Sequence, residues 1–244
     1  MPKYSIIITS KECVDITWAC IESVKKYSND YEIILVDNGS SKETQEKYRA
    51  LEYGNFILKT YNEPMGWSKA ANIGMRRAEG DYIVVLNNDT VVAEGWLDIM
   101  ADCCNKHNAV IGLAGQNMII TEDNIQLTDY FGNVINREWI LPCKFPVVTD
   151  YVGGGCMMLK RKMLDDIGYL DEDIRFAQDV LYGIRTKAKG YKSMVVCVPG
   201  YCHYVSESYK SEMGLEKLHQ MTADCLKQIA AKLKEKKDEK ELGR

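Results

Sequence analysis

The chain has 244 residues, of which 46% are hydrophobic and 27% charged, with a formal net charge of −4. That is length enough for a sizeable core in one large or two small domains, and the composition excludes disorder, collagen and coiled coil as readings of the whole chain. The mildly acidic balance argues against bulk nucleic-acid binding. No apolar run approaches the about 20 residues of a membrane span, and the start MPKYSIIITS lacks a signal peptide's long apolar stretch, so a cytoplasmic location is expected.

In chain order, Tyr4 to Thr9 (YSIIIT) is a short β-branched run expected as a buried strand. Val14 to Tyr27 follows with helical spacing, then Tyr31 to Val36 (YEIILV) as a second strand, ended by the turn-forming DNGSS. Lys42 to Glu52 reads as a polar helix, Phe56 to Thr60 as a strand and Trp67 to Ala78 as a helix. Asp81 to Leu86 is a fourth strand stopping at NNDT. Gly95 to His107 is a helix and Val110 to Gly115 a strand. Strands and helices alternating at this pitch predict a parallel, doubly wound α/β sheet.

Beyond residue 116 the pattern changes. Aromatics, Pro142 and Pro146, and β-like runs such as FGNVI and YVGGGCMMLK predict a mixed, partly antiparallel region folded onto the same sheet. Helices are expected at Lys162 to Ile167 and Gln178 to Lys189, a strand at Lys192 to Val198 and another at Tyr201 to Val205. From Ser211 onward, Leu215, Leu218, Thr222, Cys225, Ile229 and Leu233 fall near helical spacing, an amphipathic helix. The division is then 1–210 for the main domain and 211–244 for a helical extension of it. Docking on the domain is the expected use of that helix; a dimer seam or a peripheral membrane contact is the other. The nine cysteines are scattered, with no CxxC pair and only three histidines to help, so they read as free thiols and not as a zinc site.

In an open α/β sheet, ligands bind beyond the carboxyl ends of the strands. Two polar loops fall there: Asp37-Asn38-Gly39-Ser40 and Asn87-Asn88-Asp89-Thr90. The first is also what any tight turn uses. The second, amide, amide and carboxylate straight after an apolar strand, offers oxygen donors to a hard divalent cation, which commonly bridges substrate phosphates. No GxxxxGK[ST] and no GxGxxG occurs, which disfavours kinases, P-loop NTPases and dinucleotide dehydrogenases.

Taken together, YSIIIT, EIILVDNGS, NEPMGWSKAANIGMRRAEGDYIVVLNNDTVV, YVGGGCMMLKRKMLDDIGYLDED, FAQDVLYGIRTKAKGYK and VPGYCHYVSES resemble, in order and over roughly residues 4–208, a family 2 glycosyltransferase of its rhamnosyltransferase-like branch. The resemblance implies a GT-A fold: a Rossmann-like, mostly parallel central sheet flanked by helices, a smaller mixed β region and a C-terminal amphipathic helix. It implies a metal-dependent, inverting transfer of a sugar from a nucleotide-diphosphate sugar to a saccharide, glycolipid or protein acceptor, with a place in polysaccharide biosynthesis. On the same resemblance, Thr9 and Ser10 approach the nucleotide and Asp37 recognises the base. Asn62, Gly66 and Asn72 belong to the segment closing over the nucleoside. Asn87, Asn88 and Asp89 replace the family's D-x-D motif, with Asp89 as its metal ligand and Asn88 at the donor. Gly153, Gly154 and Gly155 match the small-residue loop beneath donor sugar and acceptor. Asp179 takes the place of the catalytic base, and His203 that of a histidine near the metal and diphosphate.

The implied chemistry is coherent. A sugar hydroxyl is a poor nucleophile, so a carboxylate must take its proton as the bond forms. Mg²⁺ or Mn²⁺ offsets the charge that builds on the leaving diphosphate. The chain departs from the family at Ser10-Lys11-Glu12, where Pro and Asn are usual, at Asn87, and at Gln178 and Leu181, where acidic residues are frequent. Two rivals follow. A nucleotidyltransferase would want a basic, glycine-rich loop after the first strand, which TSKEC is not. A non-catalytic nucleotide-sugar binder of the same fold would keep the cleft and lose the turnover.

Overall fold

The structure, a computed structural model, describes residues 1–51, 54–128, 146–204 and 215–241. The first half runs β1 (Tyr4–Ser10), α1 (Val14–Tyr27), β2 (Tyr31–Asn38), α2 (Lys42–Arg49), β3 (Phe56–Tyr61), α3 (Trp67–Arg77), β4 (Tyr82–Asn87), β5 (Thr90–Val91), α4 (Trp96–His107) and β6 (Ala109–Gly112). Then come β7 (Gly115–Ile120), β8 (Ile125–Thr128), β9 (Val147–Thr149), β10 (Tyr151–Val152), β11 (Cys156–Lys160), α5 (Arg161–Ile167), α6 (Gln178–Ala188), β12 (Lys192–Val195), β13 (Cys202–His203) and α7 (Leu215–Glu241).

An 8-stranded sheet has the order β3-β2-β1-β4-β11-β6-β12-β9. β1 is buried along its whole length and pairs in parallel with β2 and β4, which is why its sequence is apolar on both faces. The mixed, partly antiparallel region expected beyond residue 116 is present in this sheet: β11 lies antiparallel between β4 and β6, and β9 antiparallel against β12. The single strand expected over Val110 to Gly115 divides into β6 and β7, because the chain leaves the large sheet after Gly112 and β7 joins a separate sheet with β8 and β10. The FGNVI run lies outside the described residues.

The main core fills the space between the sheet and helices α1, α3, α4 and α5. A second cluster joins Ile125, Tyr151, Phe176, Val180 and Leu181 to Cys225, Leu226, Ile229 and Ala230 of α7. The stripe at 225, 226, 229 and 230 is the i, i+1, i+4, i+5 face of one helix. Burying a side chain such as Ile229 stabilises by about 1.5–3 kcal/mol. The C-terminal helix therefore packs on α6 and its neighbours. The cysteines among the described residues are free, and burial pushes the Cys20 thiol up to about 12.

Candidate active site

Beyond the carboxyl ends of β1, β2 and β4 lies a cleft of about 520 Å³. Thr9, Ser10 and Lys11 line it after β1, Asn87, Asn88 and Asp89 after β4, and Gly66 to Lys69 at the start of α3. The far rim comes from Glu172 to Arg175 and Gln178, on the approach to α6. The cleft thus brings together Thr9, Ser10, Gly66, Asn88 and Asp89 from the sequence-derived set.

Asp89 and His203 are 114 positions apart in sequence and meet through a short antiparallel ladder. His203 of β13 pairs with Thr90 of β5, and the Tyr204 N–H donates to the Asp89 carbonyl at 2.9 Å. The imidazole Nε2 then lies 3.1 Å from Asp89 Oδ1. A carboxylate oxygen and an imidazole nitrogen are both ligands for Mn²⁺-type cations, so this pair fits a divalent ion. Among the described residues no group of three or more His, Cys, Asp or Glu side chains is placed to hold a metal. Substrate oxygens and water would have to complete such a shell. Asn87 stands beside the pair: Trp67 Nε1 donates to its Oδ1 at 3.1 Å, and its Nδ2 lies 3.3 Å from His203 Nε2.

Asp179 sits in the first turn of α6, where the helix dipole favours a carboxylate. Its Oδ1 accepts from the Val180 N–H at 3.0 Å and its Oδ2 from the Gly154 N–H at 3.2 Å. The glycines next to it are there for space. A Cβ at Gly154 would fall 2.9 Å from Trp67 Cη2, and one at Gly155 only 2.5 Å from His203 Cε1. One loop therefore touches Asp179 through its backbone and Trp67 and His203 through its bare Cα atoms.

Other predicted residues are placed differently. Asp37 is buried: Oδ1 accepts from Ser40 N–H at 3.1 Å, while Oδ2 has no hydrogen-bond partner among the described residues. Burial raises its pKa above the ordinary carboxylate value, against the lowering effect of the Ser40 bonds. Asn88 donates to Ser10 Oγ at 3.1 Å and to Thr17 Oγ1 at 3.0 Å, so its amide braces the β1 loop from within. Asn72 is fully buried, its amide bonding the Leu170 backbone at 2.9 Å in both directions and Glu172 Oε1 at 2.8 Å. It positions the rim of the cleft. Asn62 is exposed and outside the cleft lining.

Sequence reasoning missed Glu12 and Tyr48. Glu12 and Cys13 take left-handed backbone with φ of 56° and 57°. The Glu12 carboxylate accepts from Ser41 N–H at 2.6 Å and Thr44 Oγ1 at 2.5 Å, at the start of α2. The Thr44 hydroxyl bond, then the Ser41 bonds, hold its pKa below the usual value. Tyr48 OH meets Ser10 Oγ at 2.6 Å and donates to the Glu12 carbonyl. Burial lifts it to about 12. The SxxT start of α2 was the available signal for a polar cap; nothing local announced that Glu12 would share it.

A family model described as Glycosyl transferase family 2 matches residues 5–168. The O-antigen biosynthesis protein RfbC of Myxococcus xanthus is 24% identical over 236 residues, covering 86% of this chain and 18% of that protein. The poly-beta-1,6-N-acetyl-D-glucosamine synthase of Staphylococcus aureus (strain COL) is 27% identical over 169 residues, covering 66% of this chain and 40% of its own length. This chain thus spans well under half of either relative. Among solved structures, that of GalNAc-T7 with UDP, GalNAc and Mn²⁺ superposes with a TM-score of 0.64 at 16% identity, covering 80% of this chain and 42% of the other. That likeness carries the fold, the GT-A arrangement.

Proposed function

This chain belongs to glycosyl transferase family 2, and we propose that it moves a sugar from a nucleoside-diphosphate sugar to an acceptor hydroxyl by a single, inverting displacement. The observation that carries this reading is the glycine loop, with Asp179 bound to the Gly154 N–H and His203, partner of Asp89, against Gly155. One short backbone segment thus links the carboxylate of Asp179 to the Asp89–His203 pair, and Asp89 and Gln178, the neighbour of Asp179, line the same cleft.

Asp179 is the general base: its carboxylate takes the proton of the attacking hydroxyl. Its bonds from the Gly154 and Val180 N–H groups keep it aimed. Asp89 and His203 would hold Mg²⁺ or Mn²⁺, which when bound offsets negative charge on the leaving diphosphate. The start of α3 supports an anion in the same place. Gly66 at its N-cap offers no side-chain cap, and Ser68 Oγ, buried and without a hydrogen-bond partner among the described residues, belongs to the cleft lining. Asp37 Oδ2 is suited to a base N–H, because a ligand donor there would satisfy a buried carboxylate oxygen. Thr9, Ser10 and Asn88 shape the floor and Gly66 its edge, Asn72 supports the rim through Leu170 and Glu172, and Asn62 would reach the nucleoside only if its segment closes over a bound donor.

The acceptor is read here as a saccharide, in keeping with the names of the O-antigen and poly-N-acetylglucosamine relatives. Residues 211–244 are read as part of the same domain, since the α7 stripe shares its cluster with α6. Among the described residues no helix is long and apolar enough to cross a membrane.

Calorimetric titration with UDP, GDP, CDP and dTDP, each with and without Mn²⁺, tests the donor site. The expected result is Mn²⁺-dependent binding of one nucleotide that disappears in Asp89→Ala. No binding to any of the four overturns the reading. Asp179→Asn then separates enzyme from binder: retained binding without turnover is expected, and an unchanged rate removes Asp179 from the base role.

A further inference from the structure

Trp67 has no part in the reading above, yet it lines the cleft. It packs against the main core and remains half-buried, so part of the indole faces the cleft. Two contacts fix how the ring lies. Its Nε1 donates to Asn87 Oδ1 at 3.1 Å, which pins the pyrrole edge. Its far edge, Cη2 and Cζ2, rests on Gly154, where a Cβ would stand 2.9 and 3.2 Å away. Both anchors adjoin the proposed machinery. Gly154 donates its N–H to Asp179 at 3.2 Å. Asn87 lies just before Asp89 in the chain, and its amide is 3.3 Å from His203 Nε2.

An in-line displacement puts the attacking hydroxyl and the leaving diphosphate on opposite sides of the anomeric carbon. With the base at Asp179 and the cation at Asp89 and His203, the sugar in transit lies between them. The indole spans the same interval. A pyranose is amphipathic: hydroxyls ring its edge, and C–H bonds that point one way give it an apolar face. A flat indole already held at both ends complements that face and loses little further freedom on binding it. Resting on the roles given to Asp179 and the Asp89–His203 pair, we infer that Trp67 is the platform for the transferred sugar. Its indole carries the C–H face of the donor's pyranose and so sets the direction in which the anomeric carbon meets the acceptor.

The test uses the full chain with saturating Mn²⁺. Calorimetry compares UDP with UDP-glucose and UDP-N-acetylglucosamine, GDP with GDP-mannose, and dTDP with dTDP-rhamnose, on wild type and Trp67→Leu. The quantity read is the dissociation constant of the bare diphosphate divided by that of the sugar nucleotide, which isolates the sugar. Trp67→Leu is expected to lower this ratio about tenfold in the pair that the wild type accepts, with the bare diphosphate bound as before. A second measurement leaves the wild-type ring in place. The chain has 4 tryptophans, and subtracting the Trp67→Phe emission spectrum isolates Trp67. The sugar nucleotide is expected to shift that emission beyond what the bare diphosphate does, and an equal response to both overturns the inference. A ratio in Trp67→Leu that matches the wild type in every pair also overturns it, while the nucleotide reading stands. A wild type that binds no nucleotide at all removes both.

Discussion

On the wall of the cleft built by β1, α1 and α2, polar side chains bond to one another: Ser10 to Thr17 and Tyr48, Asn88 to Ser10 and Thr17, Glu12 to Ser41 and Thr44. On the wall built by the glycine loop, α6 and β13, side chains rest on backbone and rings. Asp179 binds an N–H, Trp67 and His203 lie on bare Cα atoms, and Asn87 is clamped between two rings. The first wall spends its polar groups on itself, so it gives shape. The second presents the ionisable side chains to which the proposed proton transfer and cation binding are assigned.

Substitutions can break that contrast. The largest effect is expected on the second wall, from Asp179→Asn: a turnover loss of about 10²–10⁴-fold with donor affinity retained, since the amide oxygen can still accept from Gly154, as measured by single-turnover kinetics and calorimetry. Gly155→Ala drives a methyl into the His203 ring and should cost about 1–3 kcal/mol in a urea melt together with Mn²⁺ binding. Tyr48→Phe belongs to the first wall. It should lower the melt by about 1 kcal/mol and leave Mn²⁺ binding alone, and a change in metal affinity would contradict the division.

Two smaller effects concern pH. The folded-state pKa of Asp37 is raised by burial, so its stabilising contribution is present below its ordinary value of 3.8 and lost as pH rises through the folded value. Asp37→Asn should therefore melt slightly higher than wild type at neutral pH while binding nucleotide more weakly. Glu12 is depressed by its bonds to Thr44 and Ser41, so its contribution is present above 4.5 and lost as pH falls through its lower folded value. Glu12→Gln should flatten the acid limb of the stability profile below 4.5, read by thermal melts across pH.

The first wall's scaffold was legible because its elements are local. β1 through β4 follow apolar runs closed by Gly, Asn or Asp, and the observed ends differ from the expected ones by a residue or a few. Which atoms those loops would use was not legible. Asn72 and Asn88 look like ligand amides in sequence, and the partners their NH₂ groups take in the fold, Leu170 and Thr17, lie far off in the chain. Asp89 was legible as a carboxylate straight after an apolar strand, whereas Asp179 and His203 were visible only through a family resemblance, and the meeting of Asp89 with His203 depends on β13 pairing with β5. Leu181, which reads as a lost carboxylate, is explained by packing: it is buried in the cluster under α7, where a charge would be costly.

The α7 stripe has a consequence for the order in which the protein matures. The large sheet needs nothing beyond β12, so it can consolidate while synthesis continues. The cluster under Val180 and Leu181, the residues directly after Asp179, lacks one side until Cys225 to Ala230 have left the ribosome. A nascent chain should thus hold the first wall folded before Asp179, the proposed base, is anchored. Limited proteolysis of chains stopped before Leu215 should cut within residues 174–184 and spare β1 through β4. Protection of that segment without α7 would show that the helix arrives too late to matter.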